Sequence, residues 1–313
     1  MPGLASIIAL SAAPLLHPWA VPTRIPTAPA DYPAPQEQIA PADGETVAAQ
    51  IDRQNRLTVP VNIEGHGPFR FLIDTGSQRT VLSSALAGRL GLASGPMLRI
   101  VGIVQEAHVP SARVETLDLG RLSLAHMQVP LLERADMGAD GIIGTDTLQD
   151  QRVLLDFESE QIRVGEAQEL GGNRGYEIVV RARRQSGQLI MTSARIDGIS
   201  VAVVLDTGAE TSIGNRALQA ALGRKGSHFT PVMIESVTGH SVLAEVGAAK
   251  KLNIQDIAIH NPLLAYTDTP AFAELGLEAK PALFLGMREM RVFRRVAIDF
   301  ATRRVMFDLP ASL

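Results

Sequence analysis

The chain has 313 residues, enough for two compact lobes and more than one small core requires. Its 46% hydrophobic and 20% charged content predicts a globular body, and a net charge of −4 gives no electrostatic reason for a nucleic acid or an anionic membrane as partner. There is no cysteine, which excludes disulfides, thiolate nucleophiles and Cys-based zinc sites and leaves the redox compartment open.

From the N-terminus, Leu4 to Leu16 form an apolar run of signal-peptide length, too short to span a bilayer. Ala28-Pro29-Ala30 supplies a small-x-small cleavage site, although the first basic residue is only Arg24. Residues 1–30 are therefore expected to be a leader, and the chain to be exported to a periplasm or beyond. Eight prolines between residues 14 and 41 make an extended, solvated stretch, with 31–50 read as a linker. Folded structure is expected from about Ile51.

Beyond that point the chain repeats itself. Leu57, Val59, Val61 and Ile63 alternate as a strand, a glycine-containing turn (Glu64 to Pro68) follows, and Phe69–Ile73 runs into Asp74-Thr75-Gly76-Ser77. At an offset of 132, Val203-Val204-Leu205 runs into Asp206-Thr207-Gly208-Ala209, after a hairpin turn at Asp197-Gly198. The same offset carries Thr80-Val81 onto Ser212-Ile213. Ser83 falls on Asn215, both helix N-caps by type, and Leu90-Gly91 on Leu222-Gly223, a helix end with a left-handed glycine cap.

Further on, the alternation Leu117, Leu119, Leu122, Leu124 returns as Leu252, Ile254, Ile257, Ile259. Gly141-Ile142-Ile143-Gly144 returns as Leu283-Phe284-Leu285-Gly286, and Leu154-Leu155-Asp156-Phe157 as Ala297-Ile298-Asp299-Phe300. The expected fold class is mainly β: two repeated lobes, 51–168 and 169–313, joined by the glycine-containing stretch 165–175 and related by a pseudo-twofold axis.

One Asp-Thr-Gly is a common turn. Two in register, each behind three apolar residues, are a chemical arrangement. The apolar strand delivers a carboxylate into the interior; glycine permits close backbone approach and offers its N–H; threonine's hydroxyl can be satisfied across the lobe interface. Two such loops about a twofold axis bring Asp74 and Asp206 face to face. Like charges at contact cannot both ionise, so the pair holds one proton over a broad acidic range. One member can then act as base on a shared water while the other donates to a carbonyl oxygen. No metal or cofactor is needed. The aspartic protease dyad is the standard worked case of this principle.

These motifs resemble the aspartic peptidase superfamily, and within it the bacterial retropepsin-like type. Asp74 to Leu82 and Asp206 to Ile213 follow its Asp-Thr-Gly-Ser/Ala pattern, and Ile142-Ile143-Gly144 and Phe284-Leu285-Gly286 are similar to its loop-bracing signature. The resemblance implies a bilobal β fold with a cleft, Asp74 and Asp206 as the dyad at its floor, support from Thr75, Gly76, Ser77, Thr207, Gly208 and Ala209, and bracing by Ile143, Gly144, Leu285 and Gly286. It implies a peptide or protein substrate and a flap above the cleft. Flap candidates are Ile100–Val109, hinged at Gly102, and Ile234–Ala244, hinged at Gly239.

Two departures stand out. Retroviral members assemble the dyad from two identical chains, whereas this chain carries both halves, so a monomer is expected. The pepsin flap tyrosine has no counterpart, because no tyrosine lies between Asp74 and Gly144. The seven histidines show no metal-ligand spacing. Arg181 to Arg184 and Arg294-Arg295 read as solvated strands rather than a binding patch, and Asp156 and Asp299 as a structural turn or interface pair. A peptide-binding protein that keeps this fold without catalysis is the rival reading.

Overall fold

The computed structural model describes residues 57–102, 105–223, 228–236 and 240–310, together with the short strands Ala5–Ser6, Leu10–Ser11, Val47–Ala48 and Gln50–Ile51. It is mainly β and bilobal, with one large sheet per lobe and a six-stranded sheet between them.

Each lobe opens with a hairpin whose turn demands positive φ at two residues. Glu64 (φ 49°) and Gly65 (φ 74°) make it in the first lobe, joining Leu57–Ile63 to His66–Ile73. Asp197 (φ 48°) and Gly198 (φ 81°) make it in the second, joining Gln188–Ile196 to Ile199–Leu205. The second strand of each hairpin ends at an aspartate. Beside it runs a short parallel strand, Gly141–Ile143 next to Phe71–Ile73 and Ala282–Leu285 next to Ala202–Leu205. That strand also pairs antiparallel with the segment just after the aspartate loop, Val81–Leu82 or Ile213–Gly214. The aspartate loop is thus clamped on both sides by one inserted strand.

The helix after each loop is capped by the expected residues. Ser83 Oγ accepts from Leu86 N at 3.2 Å and Asn215 Oδ1 from Leu218 N at 2.9 Å. Gly91 closes Ser84–Leu90 in the left-handed conformation (φ 63°). Gly223 does not repeat this: its helix, Arg216–Gly223, is one residue longer, and Gly223 is its last residue, outside the left-handed region. The matched leucine alternation forms matched hairpins, Leu119 opposite Leu122 and Leu117 opposite Leu124 in one lobe, Ile254 opposite Ile257 and Leu252 opposite Ile259 in the other.

The third sheet ties the halves together. Arg152–Asp156 and Arg295–Asp299 pair antiparallel at its centre, flanked by Gln161–Gly165 and Arg304–Asp308, then by Val47–Ala48 and Ile178–Arg181. Val47–Ala48 and Gln50–Ile51 lie at the end of the stretch expected as a linker, because an unpaired sheet edge there offers hydrogen bonds to them. Arg152 is buried and its guanidinium bonds Asp299 at 2.6 Å, the side chain of Asn173 at 2.5 Å and the carbonyl of Gly172. The connector 165–175 is therefore pinned at 172–173, not freely flexible as its glycines predict. Asp156 caps a turn through Glu158 N and Ser159 N, so both aspartates have the structural roles their sequence positions indicate.

Candidate active site

The two Asp-Thr-Gly loops meet where the lobes meet. Each is suspended from its bracing strand: Asp74 N donates to Ile143 O and Asp206 N to Leu285 O, both at 3.0 Å. The residues after the braces return the support, with Thr145 N donating to Ser77 O and Met287 N to Ala209 O, both at 2.8 Å. Gly144 and Gly286 lie directly beneath the loops. A Cβ on Gly144 would collide with the backbone of Arg79, and one on Gly286 would sit 2.9 Å from the carbonyl oxygens of Ala209 and Glu210.

The threonines cross the lobe boundary. Thr75 Oγ1 donates to Leu205 O and Thr207 Oγ1 to Ile73 O, both at 2.7 Å, while each hydroxyl accepts the other threonine's N–H at 3.1 and 3.2 Å. Both hydroxyls are fully used, and the two loops are locked at fixed separation.

Asp74 and Asp206 are each 0% exposed. Asp74 Oδ1 accepts from Gly76 N at 2.8 Å and Ser77 N at 3.0 Å; Asp206 Oδ1 accepts from Gly208 N at 3.0 Å and Ala209 N at 3.1 Å. The outer oxygens, Asp74 Oδ2 and Asp206 Oδ2, are buried without a hydrogen-bond partner, and the two carboxyls are close enough for the charge of Asp74 to act on Asp206. A Cβ on Gly76 would lie 2.7 Å from the Asp206 carboxyl carbon, and one on Gly208 2.5 Å from that of Asp74. Only glycine permits this approach.

Burial pushes Asp74 up to about 7, against the lowering pull of the Gly76 and Ser77 N–H groups. Burial, then the charge of Asp74, pushes Asp206 well above the usual carboxylate range. Both carboxyls are thus raised above the acid range in which ordinary carboxylates titrate, so the singly protonated state expected over that range from the sequence is displaced to higher pH.

A further tier escapes sequence reading. Thr80 Oγ1 accepts from Gly144 N at 3.1 Å and donates to Asp146 Oδ1 at 2.8 Å. Its single proton is thereby spent, so the Thr147 hydroxyl, 2.7 Å away, donates to it. The second lobe repeats the device with different residues: Ser212 Oγ accepts from Gly286 N at 2.9 Å and bonds the Glu289 carboxylate. Burial raises both Asp146 and Glu289. The signal available in sequence was an acid two or three residues after each bracing glycine.

Ser77 contributes its N–H to the Asp74 carboxylate and donates its hydroxyl to Arg79 O at 2.8 Å. Gly102 N donates to Gln105 O at the turn of the hairpin Ser94–Val101/Glu106–Leu119. The second flap candidate corresponds to Thr230–Ser236/Ser241–Ala248, and Gly239 lies outside the described residues. The two hairpins meet through Gln105 and His240, Gln105 Nε2 lying 2.9 Å from His240 Nε2. Arg294 and Arg295, read from sequence as solvated, bond the buried Asp308 carboxylate at 2.6 and 2.7 Å. Among the described residues no three His, Asp or Glu side chains are grouped to hold a metal ion.

A sequence model of a family described as aspartyl protease matches residues 59–147 and again residues 192–288, one match in each lobe. A search of the curated proteins finds no match.

Proposed function

The chain belongs to the aspartyl protease family, and on that premise we propose that it is an aspartic endopeptidase whose single active site is shared by Asp74 and Asp206. The observation that carries this reading is the arrangement of the carboxyls. Each comes from a different lobe, each has its inner oxygen held by two backbone N–H groups, and each presents an outer oxygen without a fixed partner.

In the one-proton state the two carboxyls share a single proton, and in this proposal Asp74 is the base and Asp206 the acid. A water between the outer oxygens gives a proton to Asp74 as its oxygen attacks the scissile carbonyl carbon. Asp206 donates its proton to the carbonyl oxygen, giving a tetrahedral diol. Collapse breaks the C–N bond; the proton on Asp74 passes to the leaving nitrogen and a diol proton returns to Asp206. A carboxylic acid and an amine leave, and the pair again holds one proton. The inner N–H groups keep both carboxyls aimed throughout, so little reorganisation accompanies the charge movement.

The substrate class in this proposal is an extended segment of peptide or protein lying beneath the two hairpins. The active unit is a monomer, since both halves of the site lie in one chain. The apolar run Leu4 to Leu16 is what supports export as its setting. The silent-binder rival is weakened because both carboxyls are kept buried and facing, an arrangement that costs stability and serves no packing purpose. Digestion of a mixed peptide library by the full chain, read by mass spectrometry, tests the proposal. Internal cuts support it, while a library left intact from acid to mildly alkaline pH overturns it.

A further inference from the structure

Gln188 is the first residue after a hairpin turn at Ser186 (φ 48°) and Gly187 (φ 84°), which carries it from the second lobe to the aspartate loop of the first. It is 0% exposed. Its Nε2 donates to the Gly76 carbonyl. That acceptor fixes the orientation of the amide, because a carbonyl oxygen meets only a donor. Oε1 therefore points the other way, and there it is buried without a partner. A second buried atom without a partner lies at the same lobe boundary: Thr145 Oγ1, which a Cβ on Gly187 would approach to 2.7 Å. Two unpaired polar atoms in a closed boundary are costly unless something visits them.

We infer that Gln188 is a substrate-positioning residue, whose Oε1 accepts one backbone N–H of the extended peptide lying across the carboxylate pair. The inference rests on the peptidase reading of the same site. Gly76 is the residue whose N–H holds Asp74 and whose Cα faces Asp206, so an acceptor anchored on its carbonyl stands beside the reacting bond. An extended backbone turns an N–H to each side at every second residue, which suits a fixed acceptor of this kind. The device is one-sided. The position matched to Gln188 at the repeat offset is Arg56, which has donors and no acceptor. A strictly twofold cleft would take a peptide in either chain direction; one amide acceptor on one side distinguishes them.

The test measures binding, so that it does not depend on turnover. Library peptides retained by the full chain carrying Asp74→Asn are N-methylated at one successive amide each and titrated calorimetrically into that variant, with and without Gln188→Met. We expect one N-methyl position to weaken binding roughly tenfold to a hundredfold beside Gln188 and to add little once Gln188→Met is present. In the otherwise wild-type chain, Gln188→Glu should move the acid limb of the rate–pH profile upward, because a carboxylate beside the pair disfavours its ionisation. If every N-methyl position costs the same with and without Gln188, the amide serves only a bound water and the inference is overturned. Peptide cleavage by the wild type together with that result would remove Gln188 from the account and leave the peptidase reading standing. Coupling at one position with no cleavage would do the reverse.

Discussion

Thr75 and Thr207 each reach into the other's lobe: each hydroxyl donates to the strand end that carries the opposite aspartate and accepts the opposite threonine's N–H. Replacing either by valine keeps the shape, removes a donor and an acceptor, and strands a buried carbonyl and a buried N–H. Thr75→Val and Thr207→Val should each cost about 2–4 kcal/mol, whereas the serine variants should be near neutral. Urea unfolding of the four variants checks this, and a valine cost no larger than the serine cost would show that the crossing does not hold the lobes.

The carboxylate pair makes stability depend on pH in a fixed direction. Unfolded, both aspartates ionise near the ordinary 3.8; folded, burial raises Asp74 to about 7 and Asp206 well above its ordinary value. The folded chain therefore binds more protons across that window, so the pair's contribution to stability falls as pH rises through it. Asp74→Asn should flatten this slope and raise the melting temperature at neutral pH. The rate should rise as the pH approaches about 7, where Asp74 becomes available as a base. Melting curves and initial rates over a pH series test both expectations. Equal slopes in wild type and variant would contradict the burial account.

The acids beneath the braces should matter for activity without touching a substrate. Asp146→Ala frees the Thr80 hydroxyl and the Thr80 and Thr147 N–H groups, and Glu289→Ala frees Ser212. Each should cost about 1–3 kcal/mol of stability and lower kcat more than it raises KM, because the loop bearing the aspartate loosens. A pure KM effect would place these residues in substrate binding instead.

The Gln105–His240 contact joins the two hairpins. A glutamine can turn either its oxygen or its nitrogen to the imidazole, so it can meet both charge forms of histidine. Gln105→Ala should loosen closure and raise KM by about two- to tenfold. Amide exchange at Val101 and Glu106 gives an independent readout of hairpin opening.

Much of the site was legible because the chain repeats: Asp74 and Asp206 stand in register, and the bracing dipeptides follow at corresponding points. The capping residues were legible for a local reason, since a side chain three residues away decides each cap. What was hidden depends on contacts without a repeat. Gln188 reaches Gly76 across 112 residues only because a two-residue turn swings it there. Asp146 and Glu289 perform one task with different residues at different spacing from their glycines. Arg152 and Asp299 were visible as Arg-x-x-x-Asp in both copies, Arg152 to Asp156 and Arg295 to Asp299, but only pairing of the strands shows that each arginine faces the other copy's aspartate.

The shared carboxylate pair is tested most directly by comparing Asp74→Asn, Asp206→Asn and the double variant on one peptide substrate, with folding confirmed for each. Because each aspartate works only with the other, both single variants should lose cleavage entirely and the double variant should be no worse. Substantial cleavage surviving either single substitution would contradict a dyad formed by Asp74 and Asp206.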